Sequence, residues 1–530
     1  MIVRIRGKIP AFFSLLFLVF LASCSGESSN NQANFNSGEV GASFEGGAIT
    51  NITLDENGSG TIDLGEVARD TEYVLMLYHY DEDGATEALE VGTSENTPTS
   101  LTALLENSDE NITEDFHGQL REMEATLPAY EGSTGSTTVR FATSTTSYEV
   151  GDTRSFKVIQ STSGTSTSTI TAVLRYKTSN FLYWIDSRDS SDLSDDEVEE
   201  IMTQFDSVVE EEKNIFGDTS DVDGDGRFNI LSTREVNEMG ASAGGIITGF
   251  FYAIDLLDGY SQSNGCEIYY TMVPDSDGDY GVTVSKEFTL SNLLPSVLPH
   301  EFQHMINFNN HYFIRDDSIE ESFLNEGLSH MAEDIYSDFE STGLENPARV
   351  LGYLANTENL CITCGSSLYQ RGGIYLLLRF LFDQADRGNI SYVSEGKELL
   401  SNLSQTNLTG VENIIDSVYG STANVQSYML GLMGQFGLAI FLDDTGLSSD
   451  SRLALDAINL RSTQDDNRNT TLSGPELTDL SSSGLTDTMA GTTVFYLRLT
   501  SDIINDFDGT ISLSLGNNTN YGAYLIQTGI

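Results

Sequence analysis

Between residues 46 and 180 apolar positions alternate with Thr, Ser and Gly in short runs. TEYVLMLYHY, TTVRFAT and SFKVI carry the period-two pattern of strands. One helix-like insert, EDFHGQLREMEATL, interrupts them. Past YWID the period lengthens. In SDDEVEEIMTQFDSVVEEEKNIFG, Ile201, Phe205 and Val208/Val209 form an apolar stripe, and Ser194 with the acids after it reads as a helix start. Helical stripes then dominate to about 440, before TTVFYLRLT and GTISLSLG restore alternation near the C-terminus. The pattern predicts an α+β chain: a β-rich region over 46–180, a mixed domain over 181–455 and a β-rich domain over 456–530. Its length calls for more than one core.

The first residues change the picture of where the chain works. Arg4, Arg6 and Lys8 precede the apolar run AFFSLLFLVFLA, which is too short to span a bilayer and reads as a signal segment over 1–23. It ends in LASC, similar to a bacterial lipobox, which predicts lipidation of Cys24 and anchorage to the cell envelope. The small polar residues over 24–45 read as a tether. The formal net charge of −55 excludes nucleic acid or anionic lipid as an electrostatic partner. In an exported chain CITC predicts a disulfide between Cys361 and Cys364, leaving Cys266 as a free thiol.

LPHEFQHMINF carries the candidate chemistry. In a chain with six histidines, chance alone gives about 0.01 matches to a His-acid-x-x-His pattern. On a helix, His300 and His304 project from one face and can hold one ion, with Glu301 beside it as a general base. The neighbours Leu298, Phe302, Met305 and Ile306 are apolar, as a dry site requires. Pro299 is compatible with a helix that begins near 296, capped by Ser296, because the first turn lacks amide partners anyway. A histidine at the third-ligand position of the HExxHxxGxxH plan is missing, since His311 falls one residue late. The third ligand must come from elsewhere.

DSIEESFLNEGLSHMAEDIYSDF supplies it. Ser318 and Glu321 match a capping box, which starts a helix at Ile319. Phe323, Leu324, Leu328, Met331, Ile335 and Phe339 form its apolar stripe, and Glu326, His330 and Glu333 form a polar line beside it. A buried acid needs a partner, and a zinc ion is a suitable one, so Glu326 is the expected third ligand. His330 or Glu333 is then expected to orient a ligand.

HEFQHMIN followed by FLNEGLSHMAE resembles the gluzincin metallopeptidases, most closely the hyicolysin-type neutral peptidases. The likeness extends from DVDGDGRFNIL to YQRGGIYLLLRFL, over residues 180 to 390. It implies a zincin-like catalytic domain of two lobes with zinc in the cleft, hydrolysis of peptide bonds in protein or peptide substrates, His300, His304 and Glu326 as ligands and Glu301 as base. Tyr369, in LYQRGGIYLLLRF, is similar to the tyrosine of a YxKG stretch in gluzincin aminopeptidases, with Arg371 in place of lysine. By that likeness it is the expected donor to the oxyanion.

DVDGDGRFN places Asp221, Asp223 and Asp225 at the first positions of an EF-hand-like calcium loop, with Asn229 at the ninth. Ser232 stands where such a loop ends in a bidentate Glu, so the loop is incomplete. The alternative function is a surface-anchored adhesin or binding lipoprotein whose zinc site is structural or latent. Glu301 is the residue that such a protein would be free to lose.

Overall fold

The computed structural model describes residues 40–41, 44–81, 84–92, 99–100, 111–128, 147–164, 166–315, 319–465, 468–516 and 519–529. The signal segment, Cys24, nearly all of the tether and Ser318 lie outside the described residues. The chain has the α+β class expected, with several sheets and a helical region.

One sheet has six strands: β1 (Thr153–Ile159), β2 (Thr167–Lys177), β3 (Phe181–Asp186), β4 (Phe228–Ser232), β5 (Gly249–Phe251) and β6 (Ile268–Thr271). Their order is β5-β6-β4-β3-β2-β1, with β3, β4 and β6 parallel and β5 antiparallel at the edge. Every residue of β3, β4 and β6 is buried, which explains their continuous apolar runs. The helices that matter to the site are α1 (Asn111–Ala125), α2 (Asp195–Phe216), α3 (Leu294–Phe308), α4 (Ser322–Ala332), α5 (Asn346–Leu354) and α6 (Leu368–Asp386). Ser194 caps α2 in a full capping box with Glu197, as its sequence predicts.

The β-rich ends do not stand apart. Strand Glu72–His79 lies between Tyr521–Gly529 and Thr493–Thr500, antiparallel to both. Strand Thr86–Gly92 is likewise flanked by Leu485–Ala490 and Thr510–Leu515. Each sheet therefore draws strands from both ends of the chain, and Leu75, Leu77, Leu89, Leu497 and Leu513 share one core between them. The other face of the first sheet, with Met76, Tyr78 and Tyr496, packs under helix Val425–Leu442. That helix is long and apolar enough to cross a membrane, but it is mostly buried within the protein. Strands β1 and β2, which alternation placed in the N-terminal β-rich region, belong to the six-stranded sheet instead.

Two helix starts differ from expectation. Ser296 is buried inside α3 and caps nothing. Helical backbone begins at Lys286 after the cap Ser285, and a wide π turn over Thr289–Leu293 leads into α3. The physical reason is the pair Pro295 and Pro299. Each proline withdraws an amide and crowds the carbonyl four residues back, and the wide turn surrounds Ser291, the residue that Pro295 would crowd. The second helix begins at Ser322, three residues late, because Glu320 turns its carboxylate back to the Glu321 and Gly410 amides.

Candidate metal centre

Helices α3 and α4 cross so that His300, His304 and Glu326 meet. His300 Nε2 and His304 Nε2 lie 3.2 Å apart. Glu326 Oε2 is 3.5 Å from the first, and Oε1 is 3.6 Å from the second. Atoms bound to one tetrahedral zinc at 2.0–2.1 Å lie about 3.3 Å apart, so this triangle has the right edge. All three side chains are buried, and neither Glu326 oxygen has a well-directed hydrogen bond among the described residues. Two imidazole nitrogens and an unsatisfied carboxylate are a suitable donor set for zinc.

Neighbours fix the tautomers that such a site needs. Glu333 Oε1 accepts from His300 Nδ1 at 3.1 Å and from His330 Nδ1 at 2.7 Å. Asn325 Oδ1 lies 2.8 Å from His304 Nδ1, with Ser329 Oγ at 3.0 Å. With each Nδ1 occupied by its proton, both Nε2 lone pairs point to the triangle. Burial alone would raise the Glu333 pKa, but Arg349, His330 and His300 hold it well below the usual range, so it stays an anion. Burial and Arg349 push His330 down to about 3, so it stays neutral. His330 thus acts on His300 through Glu333 and by ring contact, with centroids 4.7 Å apart. His300, His330 and Glu333 also cluster closely. Their 2.7 and 3.1 Å Nδ1–Oε1 separations are those of direct hydrogen bonds, which tie the two rings to one carboxylate oxygen.

Glu301 follows His300 on α3 and faces the sheet edge. Gly249 on β5 makes this approach possible: a Cβ there would strike Val297 and Tyr270 O, and would touch Glu301 Cγ. Glu301 is buried, and burial, aided by Glu326, pushes its pKa up to about 7 against the opposing pull of His300 and Arg121. A carboxyl poised there takes and gives a proton readily at neutral pH.

Sequence reasoning missed several participants. Arg371 Nη1 stands 3.1 Å from Glu326 Oε2, and its Nε donates to Ser366 O at 2.7 Å. The Tyr369 ring, two residues earlier, lies over Gly352 of α5, where no side chain would fit beneath it. Asn325 and Ser329 were visible in the sequence only as helix filler. His117 belongs to the helix-like insert and has no ligand spacing around it in the sequence, yet one of its ring nitrogens lies within 4.8 Å of ligand atoms of both His304 and Glu326. Burial and the nearby Arg371 hold its pKa well below the ordinary value.

The acidic loop is a different matter. Asp221, Asp223 and Asp225 gather as expected. Asn229 does not join them: it is a buried residue of β4 that accepts from Trp184 Nε1 at 2.9 Å and donates to Glu267 O at 3.0 Å. The strand begins at Phe228 and carries Asn229 into the core before the loop can close around it. Cys361 and Cys364 are disulfide-bonded. Cys266 is a buried free thiol, and burial pushes its pKa up to about 12.

No protein-family model matches the chain. It is similar to the neutral metalloprotease ShpI of Staphylococcus hyicus, at 27% identity over 281 residues. That match covers 50% of this chain and 58% of the relative's length.

Proposed function

We propose that this chain is a zinc-dependent peptidase that hydrolyses peptide bonds of extracellular proteins or peptides. The observation that carries the reading is the triangle of His300 Nε2, His304 Nε2 and Glu326, built at zinc spacing next to an unpartnered Glu301 oxygen. The similarity to a neutral metalloprotease supports it independently. Bound by His300, His304 and Glu326, zinc supplies Lewis acidity toward water and toward a carbonyl oxygen. Glu301 takes the proton of the attacking water on its carboxylate and delivers it to the leaving amine. The edge strand β5, beside Glu301, offers backbone groups to an extended substrate. Tyr369 is the proposed oxyanion donor, with Arg371 fixing Glu326. The signal segment and Cys24 support a protein lipid-anchored to the bacterial cell envelope, facing the periplasm or the exterior and acting there as an endopeptidase. The Asp221, Asp223 and Asp225 loop is proposed to hold calcium.

Zinc content and casein hydrolysis, compared between the parent and Glu301→Gln, test the core of this. Both hold about one zinc per chain, and the hydrolysis depends on Glu301. A parent without zinc overturns the metal site. Zinc in both chains, with a measurable parental hydrolysis that the substitution leaves unchanged, removes Glu301 as base.

A further inference from the structure

The described helix α1 comes from the β-rich N-terminal stretch, yet it sits on the metal centre. Phe116 stacks edge-on against Phe250 of β5, with ring centroids 5.4 Å apart. Arg121 Nη2 donates to Phe251 O at 3.3 Å. Phe251 belongs to the edge strand, so that carbonyl is one that a strand-like substrate would use. On the opposite side, Gly118 lies against Ser366: a Cβ there would be 3.3 Å from the Ser366 hydroxyl. Ser366 in turn holds Arg371, the partner of Glu326. Helix α1 therefore touches the sheet edge on one side and the start of α6 on the other. Between those contacts stands His117, with a ring nitrogen near both His304 and Glu326.

Three protein ligands and one open position make a catalytic zinc site, whereas four protein ligands make a closed one. We propose that His117 is a fourth protein ligand to the metal and that α1 is an intramolecular plug, so that the chain in this arrangement is a latent form. This rests on the zinc site proposed above. The His117 imidazole takes the position that water needs, and Arg121 takes the backbone carbonyl that substrate needs. One helix thus blocks both requirements. A histidine serving only as packing would leave the metal's surroundings unchanged when replaced.

The test uses the full zinc-loaded chain and its His117→Ala and His117→Gln variants, with zinc X-ray absorption to count imidazoles. The expected count is three in the parent and two in either variant. Zinc release to a chelator is expected to quicken by about tenfold to a hundredfold. Casein hydrolysis is expected to rise by at least about tenfold, because each variant reopens a position for water. Arg121→Ala, which leaves His117 in place, is expected to keep three imidazoles and to quicken release less. Zinc bound with two imidazoles in the parent, and an unchanged release rate in the variants, overturns the inference while leaving the zinc site intact. Equal hydrolysis by parent and variants overturns the plug. A parent that binds no zinc at all fails the underlying reading instead, and the two failures are thereby distinguished.

Discussion

The two acidic centres of this molecule are built on opposite principles. At the His300–His304–Glu326 centre, the surrounding residues place their hydrogen bonds on the outer nitrogens, and the Glu326 oxygens have an ion pair with Arg371 but no well-directed hydrogen bond among the described residues. At the Asp221–Asp225 loop, the carboxylates turn onto their own backbone. Gly226 N donates to Asp221 at 2.9 Å, Asp225 N to Asp223 at 3.2 Å and Arg227 N to Asp225 at 2.8 Å. The first centre is a buried deficit that an ion would complete. The second is a turn that already satisfies much of itself, like many Asp- and Gly-rich turns. Ligand counting treats the two alike, and hydrogen-bond accounting separates them.

The contrast breaks most sharply at Glu326. Glu326→Ala should abolish stoichiometric zinc binding, and it should also leave the buried Arg371 guanidinium without its anion. Stranding a buried charge costs about 3–5 kcal/mol, so denaturant unfolding of the metal-free variant should shift by that order. Asp223→Asn should do neither. A Glu326→Ala chain that retains zinc would mean that the metal sits elsewhere. Next in size is Glu333→Gln, which keeps every ligand but loses the anion that His300 and His330 share. Zinc affinity should fall by about tenfold to a hundredfold, read by competition with a chelator. An unchanged affinity would reduce Glu333 to a packing residue.

The pH dependence sharpens the same comparison. Burial and Asp225 push Asp223 up to about 6, above the ordinary aspartate value. A folded-state pKa above the unfolded one means that the folded loop holds more protons in between. Stability without calcium should therefore fall as pH rises from about 4 to 6 at this group. Glu333, held low, contributes in the reverse sense: its share is present above about pH 4.5 and is lost as acid protonates it. Asp255, Glu267 and Asp334 are buried and pushed up to about 7, and Glu320 to about 8, all by burial. Their combined effect is a melting temperature that declines from about pH 5 to about pH 8, between the ordinary carboxylate values and the raised folded ones. A melting temperature that rises over that range would contradict the assignment of these acids as protonated in the fold.

How much of this was legible depended on sequence distance. That His300, His304 and Glu326 come together could be anticipated because a helix fixes i to i+4 geometry and because an apolar stripe marks which polar residues are buried. The α2 capping box was equally local. The sandwich was not, because nothing in the alternation of EYVLMLYH says that its neighbours lie beyond residue 490. His117 failed for the same reason: an isolated histidine on a short amphipathic helix carries no record of what the helix covers. Pro299 misled in a different way. The rule that keeps proline at helix starts was met here by a wide turn that no residue pattern announces.

The smallest expected effects concern the loop and Tyr369. Saturating calcium should raise the melting temperature by only a few degrees, about what 1–2 kcal/mol does in a chain of this size, because the backbone already meets part of the carboxylates' need. The rise should grow between pH 5 and 7 as Asp223 gives up its proton, and Asp223→Asn should remove it. A pH-independent shift that survives Asp223→Asn would place the calcium elsewhere. Tyr369→Phe should leave zinc content and the melting temperature within error, since the ring that covers Gly352 is retained and only the hydroxyl is lost. Turnover should then fall more than KM changes, the signature of a contact made in the transition state. Unaltered turnover would assign the oxyanion to another donor, and Arg371, already beside Glu326, would be the next side chain to replace.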